Sequence, residues 1–179
     1  MDKDAFETLV LRALPALDAV AWSYYPNPHD RADAVQDAIL NAWTHRSSLR
    51  DSAMFRYWIT RILINRCKSG LRRRSRIIFT PIDTLSEKAA PPDTPDPELY
   101  EAVNSLPQTE RTPIVLYYIE GYSTPEIARL LRIPKGTVTY RLMRARRRLK
   151  SMLSEPAALF DRSNRPYRPE GGGADETQL

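Results

Sequence analysis

Residues 122–149, YSTPEIARLLRIPKGTVTYRLMRARRRL, hold the pattern that decides the fold of the second half of the chain. They predict two helices joined by a tight turn. Ser123 and Glu126 have the spacing of a capping box, which marks a helix start. Pro134 disfavours helical backbone at the residue before it, so the first helix should end near Arg132 and the second should begin near Pro134 or Lys135.

The predicted second helix has an apolar face and a basic face. Residues three or four apart share a face, and the apolar set is Val138, Leu142, Ala145 and Leu149. Between positions 135 and 150 the chain has seven Lys or Arg and no acid. The candidate DNA-contacting residues are Lys135, Thr139, Tyr140, Met143, Arg144 and Arg147. The alternative is that the basic face is only solvated and belongs to an ordinary helical hairpin. The capping box, the tight turn and the basic residues on one side of the second helix together favour a DNA-binding helix-turn-helix.

Charge is unevenly distributed along the 179 residues, whose net charge is only +5. Residues 66–76 contain six basic residues and no acid, whereas residues 83–110 contain seven acids and one lysine. Two basic blocks therefore flank an acidic middle, as expected for two separate contacts with nucleic acid.

Several function classes lack the residues they need. The single cysteine, Cys67, excludes an internal disulfide and a cysteine-based metal cluster. No apolar run approaches the roughly 18 residues of a membrane span, and the acidic start MDKDAFE is unlike a signal peptide. No nucleophile elbow, phosphate-binding glycine loop or HExxH motif occurs. We therefore expect a cytoplasmic protein without membrane insertion, catalytic residues, metal or cofactor.

The first 75 residues predict a three-helix bundle. The helices should cover residues 4–24, residues 31–45 after an Asp30 cap, and residues 54–74. Pro15 should kink the first helix or split it. In the second helix an inner side is apolar, and another face carries Asp33, Gln36, Asp37 and Leu40. That face is either simply solvated or a docking surface for a basic partner protein.

The third helix interleaves aromatic and basic residues. Phe55, Ile59 and Leu63 should be buried, and Trp58 is either buried with them or available to a base. Rings and cations together suit opened, single-stranded DNA. The candidate contacts are Tyr57, Arg61, Asn65, Lys68 and Arg72.

Proline and acidic residues indicate a linker over residues 76–96. Its ~20 residues reach at most roughly 65 Å, more than one DNA turn of roughly 35 Å. Residues 97–155 should form a second domain, in which Leu99, Val103 and Ile119 are core candidates and Gly121 ends a helix. Residues 156–179 read as a disordered tail. The predicted fold is all-α, with two small helical domains on a flexible linker.

Three segments resemble the extracytoplasmic-function (ECF) sigma factors of bacterial RNA polymerase. ADAVQDAILNAW is similar to their region 2.2, and FRYWITRILINRCKSGLRRR to regions 2.3 and 2.4. LPQTERTPIVLYYIEGYSTPEIARLLRIPKGTVTYRLMRARRRLK resembles region 4. The resemblance covers most of residues 4–153.

This resemblance implies a role for each candidate set. The Asp33, Gln36, Asp37 and Leu40 face would dock on the beta-prime clamp helices of core RNA polymerase. The outer face of the third helix would bind and help melt the −10 promoter element, and the basic helix would read the −35 element. Region 4 would also meet the beta flap, and an anti-sigma factor is expected.

Three positions depart from the family pattern. Arg132 stands where the turn usually has glycine, and at positive φ it would cost roughly 1 kcal/mol. Gly70 should cost about 1 kcal/mol relative to alanine in a helix. Tyr140 replaces a smaller polar residue, which leaves the −35 sequence open. The alternative function is a free-standing helix-turn-helix regulator, which would not need the acidic face; a nucleic-acid enzyme lacks a candidate active site.

Overall fold

The computed structural model describes residues 1–77 and 96–153. Most of the predicted linker and all of the predicted tail, residues 156–179, lie outside the described residues. Within the described ranges the regular structure is helical, with no strand, as predicted. The α-helices are α1 (Lys3–Trp22), α2 (Pro28–Thr44), α3 (Phe55–Ile77), α4 (Pro97–Ser105), α5 (Gln108–Ile114), α6 (Thr124–Leu131) and α7 (Lys135–Met152).

Helices α1 to α3 form the first bundle around a largely aromatic centre. The Phe6 ring meets Trp43 edge-on, with centroids 5.1 Å apart, and Phe55 likewise at 5.7 Å. Leu17, from α1, is fully buried in the same core. Helix α1 runs unbroken through Pro15, so the predicted split is wrong.

The start of α2 differs from the prediction. Asn27, and not Asp30, is the N-cap, and its side-chain oxygen accepts from the backbone N–H of His29 at 2.8 Å. Pro28 occupies the first turn, where its missing N–H leaves no gap in the hydrogen bonding. The Asp30 carboxylate instead pairs with Arg74 of α3. Asp30 therefore ties α2 to α3 and does not start the helix.

The helix-turn-helix of α6 and α7 forms as predicted. The Glu126 carboxylate accepts from the backbone N–H of Ser123 at 2.8 Å, which fixes the start of α6. Arg132 ends α6 with φ 56° and ψ 51°, the left-handed conformation in which glycine is usual. The turn therefore holds residue 132 at positive φ although its side chain is that of an arginine.

A π-helical turn at Val115–Ile119, between α5 and α6, overturns one core assignment. Here the Glu120 N–H donates to the Val115 carbonyl, five residues back, at 2.9 Å. The wider turn rotates the following side chains relative to an α-helix. Ile119 is consequently 38% exposed, whereas Leu116, which the α-helical register did not select, is fully buried. Gly121 then ends the segment with φ 72°.

The two halves, 1–77 and 96–153, pack against each other, which the sequence did not predict. The Trp22 ring of α1 stacks on Tyr100 of α4, with centroids 4.7 Å apart and planes 20° apart. The hydroxyls of Ser23 and Thr112, both buried, lie 3.0 Å apart. Buried apolar side chains of both halves belong to one continuous cluster.

Gly70 in α3 has a packing role that helix propensity alone does not reveal. A Cβ atom at this position would lie 2.4 Å from the Tyr25 hydroxyl oxygen. That hydroxyl is held in place because it donates to the Cys67 carbonyl at 3.0 Å. Helix propensity alone is therefore an incomplete guide at Gly70, since a methyl group here would need space that the Tyr25 hydroxyl occupies.

Candidate nucleic-acid interface

Helix α7 presents the face predicted to contact DNA. Its four predicted core residues, from Val138 to Leu149, are all buried. Tyr140 is 53% exposed and Met143 45%. Lys135, Thr139, Arg144 and Arg147 are also exposed. All six candidates therefore lie on the solvent side of the helix-turn-helix.

A buried carboxylate under α7 positions part of this face. Glu110 of α5 is only 5% exposed. Its two carboxylate oxygens lie 3.4 Å from Nε of Arg144 and 3.2 Å from Nε of Arg148. The Arg144 guanidinium also lies 5.7 Å from the centre of the Tyr140 ring. Sequence reasoning did not select Glu110, because it lies on α5, two helices before α7, and no local spacing connects it to Arg144.

The candidate protein-binding face on α2 is open to solvent. Asp33, Gln36, Asp37 and Leu40 are all exposed, and Leu40 is 61% exposed although it is apolar. The opposite side of α2 is buried, with Ala38 and Ala42 fully inaccessible. Asp37 pairs with Arg66 of α3, so its charge is partly compensated by the protein itself.

The candidate −10 residues on α3 divide into two groups. Arg61 and Arg72 are exposed, and Asn65 is half-buried. Tyr57 and Lys68 are also half-buried, but they contact the other half of the molecule. The Tyr57 ring meets Tyr122 edge-on at 6.3 Å, and Lys68 Nζ donates to the Leu131 carbonyl. Trp58 packs near Phe55 at 5.9 Å, which agrees with its core alternative.

An ion pair and a hydroxyl pair also join α3 to the second half. Arg56 binds the Glu120 carboxylate and donates to the Glu120 carbonyl oxygen at 3.1 Å. Burial raises the pKa of Glu120, and the Arg56 charge partly opposes that rise. The Tyr122 hydroxyl donates to the Thr60 hydroxyl at 3.1 Å, and both residues are buried. No local pattern in the sequence links these positions.

Two further side chains on α3, Lys68 and Cys67, have shifted pKa values. Burial lowers the pKa of Lys68, and the nearby guanidinium groups of Arg132, Arg72 and Arg141 lower it further. Burial also raises the pKa of the Cys67 thiol to about 12, so this cysteine stays protonated at neutral pH. Cys67 is thus a packing residue and not a nucleophile.

Comparisons with known proteins identify the family. The family model for Sigma-70 region 2 matches residues 9–77, and the model for Sigma-70, region 4 matches residues 97–149. The ECF RNA polymerase sigma factor SigM of Mycobacterium tuberculosis is 32% identical over 155 residues, or 85% of this chain and 79% of that protein. The chain belongs to the ECF sigma factors. The ECF RNA polymerase sigma-E factor of Haemophilus influenzae is 29% identical over 170 residues, or 85% of this chain and 89% of that one.

Two solved complexes contain chains similar to this ECF sigma factor. The sigma factor RpoE, in complex with the anti-sigma factor NepR from Bartonella quintana, has a TM-score of 0.71 and 29% identity, covering 82% of this chain and 95% of RpoE. CnrH, in complex with the cytosolic domain of CnrY, has a TM-score of 0.59 and 30% identity, covering 84% of this chain and 88% of CnrH. The fold and the family assignment therefore agree.

Family membership settles the broad function. As an ECF sigma factor, this protein is a non-enzymatic transcription initiation factor that directs RNA polymerase to promoters. The alternative of a free-standing regulator is not favoured, since the region 2 match covers the half that such a regulator would not need. None of the described helices is both long and apolar enough to cross a membrane.

Proposed function

We propose that three surfaces divide the work of this sigma factor. The exposed face of α2 docks on the beta-prime clamp helices of core polymerase. The outer face of α3 engages the −10 element, and α7 reads the −35 element while its half of the molecule meets the beta flap. The observation that carries this proposal is the exposure of all six α7 candidates beside a fully buried apolar face.

The packing of the two halves adds a step to that assignment. Tyr57 and Lys68 belong to the proposed −10 set, yet both contact residues of the helix-turn-helix half. While the halves are packed together, Tyr122 covers part of the Tyr57 ring and the Leu131 carbonyl occupies Lys68 Nζ, so neither side chain is fully available to DNA. We therefore propose that the halves separate when core polymerase and promoter are bound. A linker of ~20 residues is long enough to permit separation by more than a DNA turn.

Regulation by an anti-sigma factor is part of the same proposal. Both similar solved chains are held by partners, named NepR and CnrY, and the first is described as an anti-sigma factor. When the two halves pack together, which we call the closed arrangement, Tyr57 and Lys68 already contact the second half. We propose that an anti-sigma factor binds this closed arrangement and so keeps the −10 residues from DNA. The proposed site of action is the cytoplasm, where the polymerase is.

Run-off transcription with purified core polymerase tests the α2 assignment. Leu40→Asp should abolish both binding to core polymerase and transcription, because it places a charge in the centre of an apolar contact. Asp37→Arg should do the same, although it also removes the pair with Arg66. Glu7→Arg, a charge reversal on exposed α1, is the matched control and should bind normally. Unchanged pull-down of core polymerase by Leu40→Asp would reject this surface.

A second measurement tests the assignment of α3 to the −10 element independently of the α2 surface that is proposed to bind polymerase. Arg61→Ala should leave binding to core polymerase intact while it reduces the yield of opened promoter. Potassium permanganate footprinting reports the opened −10 bases directly. Full opening by this variant would remove Arg61 from the −10 set but leave the α2 assignment standing.

A further inference from the structure

A cavity of about 330 Å³ opens between the two halves of the molecule. Helix α3 forms one wall, and α5 with the helix-turn-helix forms the other. Most of its surface is apolar, contributed by Leu71, Pro113, Leu131 and Ile133. Its size lies at the lower end of the range of small-molecule sites.

Among the described residues, every charged side chain that lines the cavity is a cation. Lys68 and Arg72 come from α3 and Arg141 from α7, and no carboxylate of residues 1–77 or 96–153 lines it. Arg141 is half-buried, and its side chain has no ion pair or hydrogen bond within those ranges. Lys68 Nζ donates to the neutral Leu131 carbonyl and pairs with no described carboxylate. Like charges that face each other across a closed contact repel, and partial burial strengthens the repulsion.

Tyr24 also lines the cavity, and it is only 4% exposed. Burial raises the pKa of its phenol, so the side chain is uncharged. Tyr24 therefore adds an uncharged aromatic side chain to the wall and leaves the cations without a compensating charge there.

We propose that this cavity binds a small organic anion that carries a phosphate group. The Lys68, Arg72 and Arg141 cations hold the phosphate, and the apolar walls hold the body of the ligand. The ligand touches both halves and cancels the repulsion between them. Its binding therefore stabilises the closed arrangement by a free energy that grows with the logarithm of its concentration relative to its dissociation constant.

A consequence of the site rests on the proposed function. Lys68 and Arg72 belong to the proposed −10 set, so the anion and promoter DNA would compete for the same cations. A bound anion would hold the sigma factor closed. Binding itself is measured without DNA or polymerase, so a failure of the site and a failure of the −10 assignment can be told apart.

Isothermal titration calorimetry of the full chain at constant ionic strength tests the site. Phenyl phosphate is the probe, because it combines a phosphate group with an apolar ring; inorganic phosphate and phenol are its two parts. We expect phenyl phosphate to bind with one-to-one stoichiometry and more tightly than either part. Arg141→Gln should weaken binding about tenfold, or about 1.4 kcal/mol. Arg129→Gln makes the same charge change on exposed α6, outside the cavity, and should leave the affinity unchanged.

Far-UV circular dichroism should show an intact fold for both variants. Absence of saturable binding by phenyl phosphate overturns the proposal. Equal weakening by Arg141→Gln and Arg129→Gln also overturns it, since the effect would then be general charge screening.

Discussion

Lys68, on the helix that carries the proposed −10 residues, donates a hydrogen bond from Nζ to the main-chain carbonyl of Leu131, the last residue of α6. The carbonyls at the end of a helix lack partners within the helix and attract cations. A side chain proposed to hold promoter DNA thus caps the first helix of the helix-turn-helix. Opening the molecule for DNA requires this contact to break.

The Tyr122–Thr60 hydrogen bond offers a direct test of the closed arrangement in solution. Tyr122→Phe should lower the free energy of unfolding by about 1 kcal/mol, because a buried hydrogen bond is lost. Thr60→Val should cost about 1–3 kcal/mol, because it leaves the buried Tyr122 hydroxyl unpaired. A double-mutant cycle by urea denaturation should give a coupling energy between them of at least about 0.5 kcal/mol. A coupling energy of zero would mean that the halves do not pack this way in solution.

The Arg56–Glu120 pair predicts a pH dependence of stability. Burial already raises the Glu120 pKa above its ordinary 4.5, and Arg56→Met should raise it further by removing the opposing charge. A carboxyl group with a raised pKa keeps its proton in the folded state after the unfolded state has lost it. The free energy of unfolding should therefore fall as pH rises from about 4.5 through the folded pKa, and more steeply in Arg56→Met than in wild type.

Urea denaturation at steps of pH from about 4.5 to about 7.5 measures that slope. Adding Glu120→Gln to Arg56→Met removes the titrating group and should flatten the curve. Parallel curves for wild type and Arg56→Met would show that Arg56 does not act on Glu120.

Gly70→Ala should destabilise the protein, contrary to helix propensity. Alanine should gain about 1 kcal/mol in a helix, but the new methyl group meets the Tyr25 hydroxyl oxygen at 2.4 Å. Overpacking of this kind costs about 1–3 kcal/mol. In a Tyr25→Phe background that oxygen is absent, so Gly70→Ala should there be stabilising. Thermal denaturation of the four variants measures both effects, and the same sign in both backgrounds would contradict the packing explanation.

Arg132→Gly should stabilise the helix-turn-helix by roughly 1 kcal/mol. The gain is expected because φ at this position is 56°, where an L-residue is strained and glycine is not. Arg129→Gly is the matched control, since it removes the same charge but places glycine within α6, where it should cost about 1 kcal/mol. The unfolding midpoint should rise for Arg132→Gly and fall for Arg129→Gly. A fall for both variants would show that the Arg132 side chain contributes to the stability of the protein.

Arg144 and Arg147 should differ in how they affect DNA binding. Arg144→Ala should lose about 1–3 kcal/mol of discrimination at one base pair if it reads a base edge. Arg147→Ala should weaken all sequences alike and reduce the salt slope by about one unit. Selection from a randomised −35 library measures the first effect, and binding at several salt concentrations measures the second.

Glu110→Gln extends that test to the residue under the helix. It removes the carboxylate beside Arg144 and Arg148 without changing its size. Sequence discrimination at the Arg144 position should therefore weaken, although no DNA contact is lost. An identical sequence profile for wild type and Arg144→Ala would exclude Arg144 from base reading.

Periodic and capping signals were sufficient for the helices and for most of the exposed faces. The buried face of α7 and the start of α6 formed as predicted, because spacings of three and four residues and a capping box act within one or two turns of chain. The Asp30 cap failed because Asn27 and Pro28 offered a better helix start three residues earlier. The prediction that Ile119 is buried was wrong because a π-helical turn changed the helical register, and no periodic pattern in the sequence indicates such a turn.

The sequence by itself determined an all-α chain with a region 2 half, a region 4 half and the outward face of each functional helix. Only the tertiary structure revealed that Tyr57 and Lys68 contact the second half, that Glu110 orients Arg144, and that three cations share a cavity with Tyr24. The physical reason is the distance along the chain over which each kind of interaction acts. Helix formation and amphipathic faces depend on neighbours along the chain, whereas the Glu110–Arg144, Lys68–Leu131 and Tyr57–Tyr122 contacts join residues 34, 63 and 65 positions apart, which only the packing of the folded chain brings together.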